Sequence, residues 1–118
     1  MFVNSYLLAL FIDDRKFNFQ ITSYKAQFLF MPTFVKIETG IVNKTTFDRY
    51  VPEHRSYVRQ LIERGHKAKT GYWKELGGGM LIFEADSLIE AREIVAQDPL
   101  ILHQCVSYEL HEWCIVVD

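Results

Sequence analysis

From residue 34 onward apolar side chains recur at two spacings, and the switches between them mark out the elements. Phe34-Val35-Lys36-Ile37-Glu38 alternates apolar and polar toward its end and stops at Gly40, which predicts a strand. Phe47, Tyr50, Val51, His54, Tyr57, Val58, Leu61 and Ile62 then repeat at helical spacing. Arg49, Glu53, Arg55, Arg59 and Glu63 take the opposite face. Thr45 with Asp48 three residues on reads as a capping box. Pro52 lies inside the pattern, and proline fits the first turn of a helix but breaks its interior. The expected form is a short turn from Thr45, a main helix entered at Pro52, and a stop at Gly65.

Lys67 to Trp73 and Met80 to Ala85 read as two strands joined by the glycine-rich turn around Leu76-Gly77-Gly78-Gly79. Ser87 and Glu90 form a capping box for a second helix with a buried stripe of Leu88, Ala91, Ile94 and Val95. Asp98-Pro99 ends that helix, because the residue before proline is pushed out of helical geometry. A long strand over Cys105 to Val117 completes the order βαββαβ. That order predicts an α+β, ferredoxin-like fold: one four-stranded antiparallel sheet with two helices on one face. The other sheet face is left bare, so a homodimer with a ligand cavity between the two sheets is the expected assembly.

Composition separates the first thirty residues from the rest. Residues 1–30 hold eight of the chain's seventeen aromatics, no Gly or Pro, and a charge of +1, while residues 31–118 carry −3. Two units are expected: an N-terminal extension, 1–30, and a domain, 31–118. Met31-Pro32-Thr33 reads as an ordinary protein start, which makes 1–30 either an upstream stretch or a poorly ordered extension. The alternative is a genuine extra strand or helix. Asn4 and Ser5 are the polar residues before the apolar run Leu7–Ile12, with no basic residue there, so a secretory signal is not expected.

The whole chain has 118 residues and a net charge of −2, with 13 basic against 15 acidic residues. This balance argues against a nucleic-acid partner, and Leu7–Ile12 is too short to span a membrane. Cys105 and Cys114 make no disulfide framework. A cytoplasmic protein is the expectation.

His54 stands out among the candidates for chemistry, because it lies on the apolar stripe where leucine would pack better. With a helix beginning at Pro52 it falls in the first turn, where the dipole favours a neutral base. Asp98 is the expected partner: at the far end of the second helix it is poorly placed for helix stability, and both helices lie on the same sheet face. A carboxylate there would orient the ring and support the cation formed when it takes a proton. Tyr57, Tyr72 and Trp73 are the expected substrate-contacting residues of a half-apolar cavity. His103, Cys105, His111 and Cys114 gather near the last strand, but Cys114 falls on the opposite strand face, so no metal is expected. Gly77-Gly78-Gly79 lacks the following Lys-Ser/Thr of a phosphate loop, and no cofactor is implied.

Five motifs occur in order: Tyr50-Val51-Pro52-Glu53-His54-Arg55-Ser56-Tyr57, Lys69-Thr70-Gly71-Tyr72, Gly78-Gly79, Glu84-Ala85-Asp86-Ser87-Leu88 and Gln97-Asp98-Pro99-Leu100. Together they resemble the YciI (YCII-related) family over residues 31–118 and not over 1–30. The resemblance implies a ferredoxin-like domain that dimerises into an α+β barrel, with an active site made by the helix histidine and the Asp of Asp-Pro, here His54 and Asp98. The family commonly has Gly-Pro where this chain has Gly71-Tyr72. Similar dimeric barrels include isomerases and a dehydrohalogenase, which by analogy suggests isomerase- or lyase-type chemistry on a small cyclic or enolisable molecule. The competing expectation is a non-catalytic ligand-binding or dimerisation module in which the same pair is structural.

Overall fold

Strand, helix, two strands, helix and strand follow one another as the two periodicities predict, with one short helix added. The structure, a computed structural model, describes residues 31–75 and 77–118. The N-terminal extension expected over 1–30 lies outside the described residues.

The elements are β1 (Thr33–Gly40), α1 (Lys44–Glu63), β2 (Lys69–Tyr72), β3 (Gly78–Glu84), α2 (Leu88–Ala96), α3 (Pro99–Leu102) and β4 (Val106–Trp113). The four strands form one sheet in the order β2-β3-β1-β4, and every pairing is antiparallel. This is the ferredoxin-like α+β arrangement. Phe34 faces Phe83 across β1 and β3, and these rings pack with Leu81 against Val58 and Leu61 of α1 and Ala91 and Val95 of α2. A second cluster of Leu100, Cys105 and Val106, with Phe47 and Tyr50, closes the end of the sheet under α3.

β1 reverses the usual inside-out pattern. Phe34, Lys36 and Glu38 are buried toward the helices, whereas Ile37 on the alternate face is 40% exposed. Strand alternation is therefore kept, but two charged residues occupy covered positions and apolar ones occupy the open face. Met80 pairs beside Ile37 and Ile82 beside Val35, so the open face is apolar across two strands.

α1 departs from the expected two-part helix. It runs unbroken through Pro52, and its cap is Asn43, whose side chain accepts from the Thr46 N–H at 2.9 Å; Thr45 lies inside the helix. The missing Pro52 N–H leaves the Asp48 carbonyl without its helical partner, and both residues are exposed, so that carbonyl is open to solvent. Asn43→Ala should lower the unfolding free energy by about 1 kcal/mol in urea titrations, the usual worth of a cap.

Three further expectations are corrected. Ile62 and Leu88 are exposed rather than buried. β4 ends at Trp113, opposite Thr33 at the start of β1, and Val116 and Val117 lie beyond it, largely exposed, with no strand among the described residues paired to them. Gly78 and Gly79 begin β3 rather than forming the turn. Gly78 has φ +123°, and a Cβ there would sit 2.2 Å from the Glu38 carbonyl oxygen; one on Gly79 would sit 2.1 Å from that of Gly71. Only glycine lets the backbones approach so closely at that corner.

Candidate functional site

Three elements converge beneath the helices. β1 supplies Lys36 and Glu38 from the Phe34 face, and α1 supplies His54 from the face that buries Val58 and Leu61. The third contribution is Asp98, between α2 and α3. Sequence reading set it against the unfavourable C-terminal dipole of α2, but it is the N-cap of α3. Its Oδ1 accepts from the Leu100 N–H at 2.9 Å, with Pro99 in the first turn. Asp-Pro before an apolar run is a helix-start signal as well as a stop, and here it serves as both.

His54 Nδ1 lies 2.9 Å from Asp98 Oδ1, so the predicted pair is present. Lys36, fully buried, bridges the other Asp98 oxygen and Glu38, the latter at 2.8 Å. The buried chain Glu38–Lys36–Asp98–His54 carries two carboxylates and one ammonium, and it is charge-balanced when His54 is protonated. Burial alone would push the Asp98 carboxyl up. The His54 hydrogen bond and the Lys36 charge outweigh burial and hold it below the ordinary range.

The sign of this shift fixes a pH dependence. A carboxyl whose folded value lies below its unfolded one contributes stability above the unfolded value of about 3.9, and that stability is lost as pH falls through the folded value. In urea unfolding at low pH, the stability difference between wild type and Asp98→Asn should shrink as pH falls below about 4.

His54 itself is 8% exposed and sits mid-helix. The expected dipole effect of a first-turn histidine therefore does not apply, since it fades beyond the terminal turn. Its Nε2 lies 3.3 Å from Thr70 Oγ1 on β2, an exposed residue. The ring of Tyr57, one turn on, is 6.2 Å away between centroids, but its hydroxyl donates to the Ile94 carbonyl at 2.5 Å and ties α1 to α2. Burial, then the Asp98 and Glu38 charges, push that phenol well above the ordinary tyrosine range, so it stays protonated. Tyr72 lies two residues beyond Thr70 on the same face of β2 and is 86% exposed, while Trp73 follows the strand half-exposed. Neither hydrogen-bonds to the pair.

A groove of about 720 Å³ runs along α1 and α2, lined by Glu53, Ser56, Tyr57, Arg64, Glu90 and Glu93 among others. Of the predicted site residues it takes in only Tyr57. The expected cavity around His54 is thus not this groove. His103 stacks on Tyr50 at 3.9 Å, His111 pairs with Glu109, Cys105 is buried and Cys114 exposed. No grouping that could hold a metal ion occurs among the described residues.

The YCII-related domain model matches residues 42–114. The chain belongs to the YCII-related domain family. Among solved structures it is similar to 5-chloro-2-hydroxyhydroquinone dehydrochlorinase (TftG) from Burkholderia phenoliruptrix, in complex with 2,5-dihydroxybenzoquinone. The TM-score is 0.58 at 17% identity, over 70% of this chain and 93% of that one. At that identity the likeness establishes the fold. No curated protein matches significantly.

Lys36, Glu38 and Thr70 were missed in the sequence. An alternating strand normally sends its polar residues to water, and nothing in β1 alone marks which face is covered. Thr70 lies inside the Lys69-Thr70-Gly71-Tyr72 motif, yet threonine in a strand carries no signal of its own.

Proposed function

We propose that this YCII-related protein is an enzyme in which His54 moves protons at Nε2 while Asp98 holds Nδ1, in isomerase- or lyase-type chemistry on a small cyclic or enolisable molecule. The observation that carries this reading is the 2.9 Å contact between His54 and a carboxylate that is itself fixed by Lys36 and by the α3 backbone. An imidazole so held keeps one tautomer and gains support for its charged form, which is what proton transfer at the other nitrogen needs. The dehydrochlorinase among similar folds supports an enzyme acting on hydroxylated rings. The site is proposed to lie in a homodimer formed over the apolar sheet face of Val35, Ile37, Met80 and Ile82. Free thiols at Cys105 and Cys114 suit the reducing cytoplasm. No helix among the described residues is long and apolar enough to cross a membrane.

The enclosure of the ring favours a second reading, in which the pair pins α1, β1 and α3 together and turns nothing over. Titration with 2,5-dihydroxybenzoquinone separates the two. In the enzyme reading it binds, perturbs the His54 ring signals, and binds at least tenfold more weakly to His54→Gln. Ring signals that ignore the quinone and other small hydroxylated rings support the structural reading. Sedimentation of wild type and Ile37→Lys tests the dimer: wild type should run as a dimer and the variant as a monomer.

A further inference from the structure

Thr70 has one hydroxyl proton and two neighbours that could take it. Its Oγ1 lies 3.1 Å from the Met80 carbonyl oxygen and 3.3 Å from His54 Nε2. The carbonyl can only accept, so while Thr70 donates to it the contact with the ring must run from Nε2–H to Oγ1. Across the ring, ionised Asp98 can also only accept, which keeps a proton on Nδ1. The arrangement with every bond made is therefore the doubly protonated ring.

We propose that Thr70 is a positioning residue whose hydroxyl turns with the charge of His54. With the imidazolium it accepts from Nε2–H and donates to Met80. When Nε2 gives its proton to a ligand, the Nε2–H bond breaks and the ligand's bond to hydrogen forms. The lone pair left on Nε2 is then met by the Thr70 O–H, which swings away from Met80 without breaking. The charged state has one hydrogen bond more than the neutral one, so Thr70 favours the proton's return. Other groups reach the ring from known directions. Lys36 and Glu38 on β1 act through Asp98, and Tyr57 on α1 has its hydroxyl committed to Ile94. Among the described residues Thr70 is the side chain that hydrogen-bonds at Nε2, and it lies on an exposed edge strand where a ligand can arrive.

This rests on the reading that His54 works through Nε2, and the experiment keeps the two apart. Ring nitrogens of His54 are followed against pH in the full chain for wild type, Thr70→Val and Thr70→Ser. Valine keeps the bulk and suits a strand, so the fold is not at risk. The Thr70→Val midpoint should fall by roughly half to one pH unit, the worth of one hydrogen bond, and Thr70→Ser should return it to the wild-type value. An unchanged midpoint in Thr70→Val overturns the proposal, as does a shift that serine does not restore. The neutral tautomer reports on Asp98 separately. A proton on Nδ1 keeps the Asp98 reading even where Thr70 proves inert, whereas a neutral ring protonated at Nε2 sinks that reading instead.

Discussion

Lys36→Met should lower the unfolding free energy by about 3–5 kcal/mol, the usual consequence of removing one partner from a buried ionic group. Lys36 is fully buried, Asp98 equally so, and Glu38 is 5% exposed. Removing the ammonium leaves two carboxylates facing each other with little water, and His54 can balance only one of them. Methionine keeps most of the volume, so the loss reports charge rather than a cavity. Adding Glu38→Gln to the variant should recover part of the loss, since one of the stranded charges is then gone. Urea midpoints at constant slope measure both. A loss below about 1 kcal/mol would mean that the carboxylates reach water and that the network is not the buried one described.

His54→Gln should slow proton exchange by roughly 10²–10⁴-fold, the range a positioned acid or base supplies. The assay follows deuterium uptake into the ring positions of 2,5-dihydroxybenzoquinone and into simple 1,3-diketones, probes that exchange through enol forms. Glutamine retains a donor toward Asp98 but cannot carry a proton to and fro. Its stability cost should stay near 1–2 kcal/mol, well below that of Lys36→Met. Asp98→Asn is a poorer probe of chemistry, because Asp98 also caps α3 and neutralises Lys36. Equal exchange by wild type and His54→Gln would assign the pair to structure.

The order of elements was legible because it rests on spacing, and the His54–Asp98 pairing because the family motifs carry it. The dipole argument for Asp98 did not hold, since Asp98 caps α3. Helical periodicity put His54 in line with Val58 and Leu61, and the motif order carried Asp98. What was not legible depended on which sheet face the helices would cover. Val35 and Ile37 were as good candidates for the inside as Phe34, and choosing them would have sent Lys36 and Glu38 to water. Pro52 misled because the cost of a proline in a helix falls when its orphaned carbonyl opens to solvent. α3 was hidden by the double meaning of Asp-Pro, which stops one helix and starts the next. The end of β4 depended on the length of its partner β1, which the apolar run Ile115-Val116-Val117 does not encode.

The central claim is that His54 trades a proton with an incoming molecule through Nε2 while Asp98 keeps Nδ1 protonated. Nitrogen NMR of the wild-type ring, followed over the pH range in which the protein stays folded, tests it most directly. The predicted result is that Nε2 loses its proton across that range and Nδ1 does not. A ring in which neither nitrogen changes, or in which Nδ1 is the one to lose its proton, would contradict it and leave the pair as a buried strut between α1 and α3.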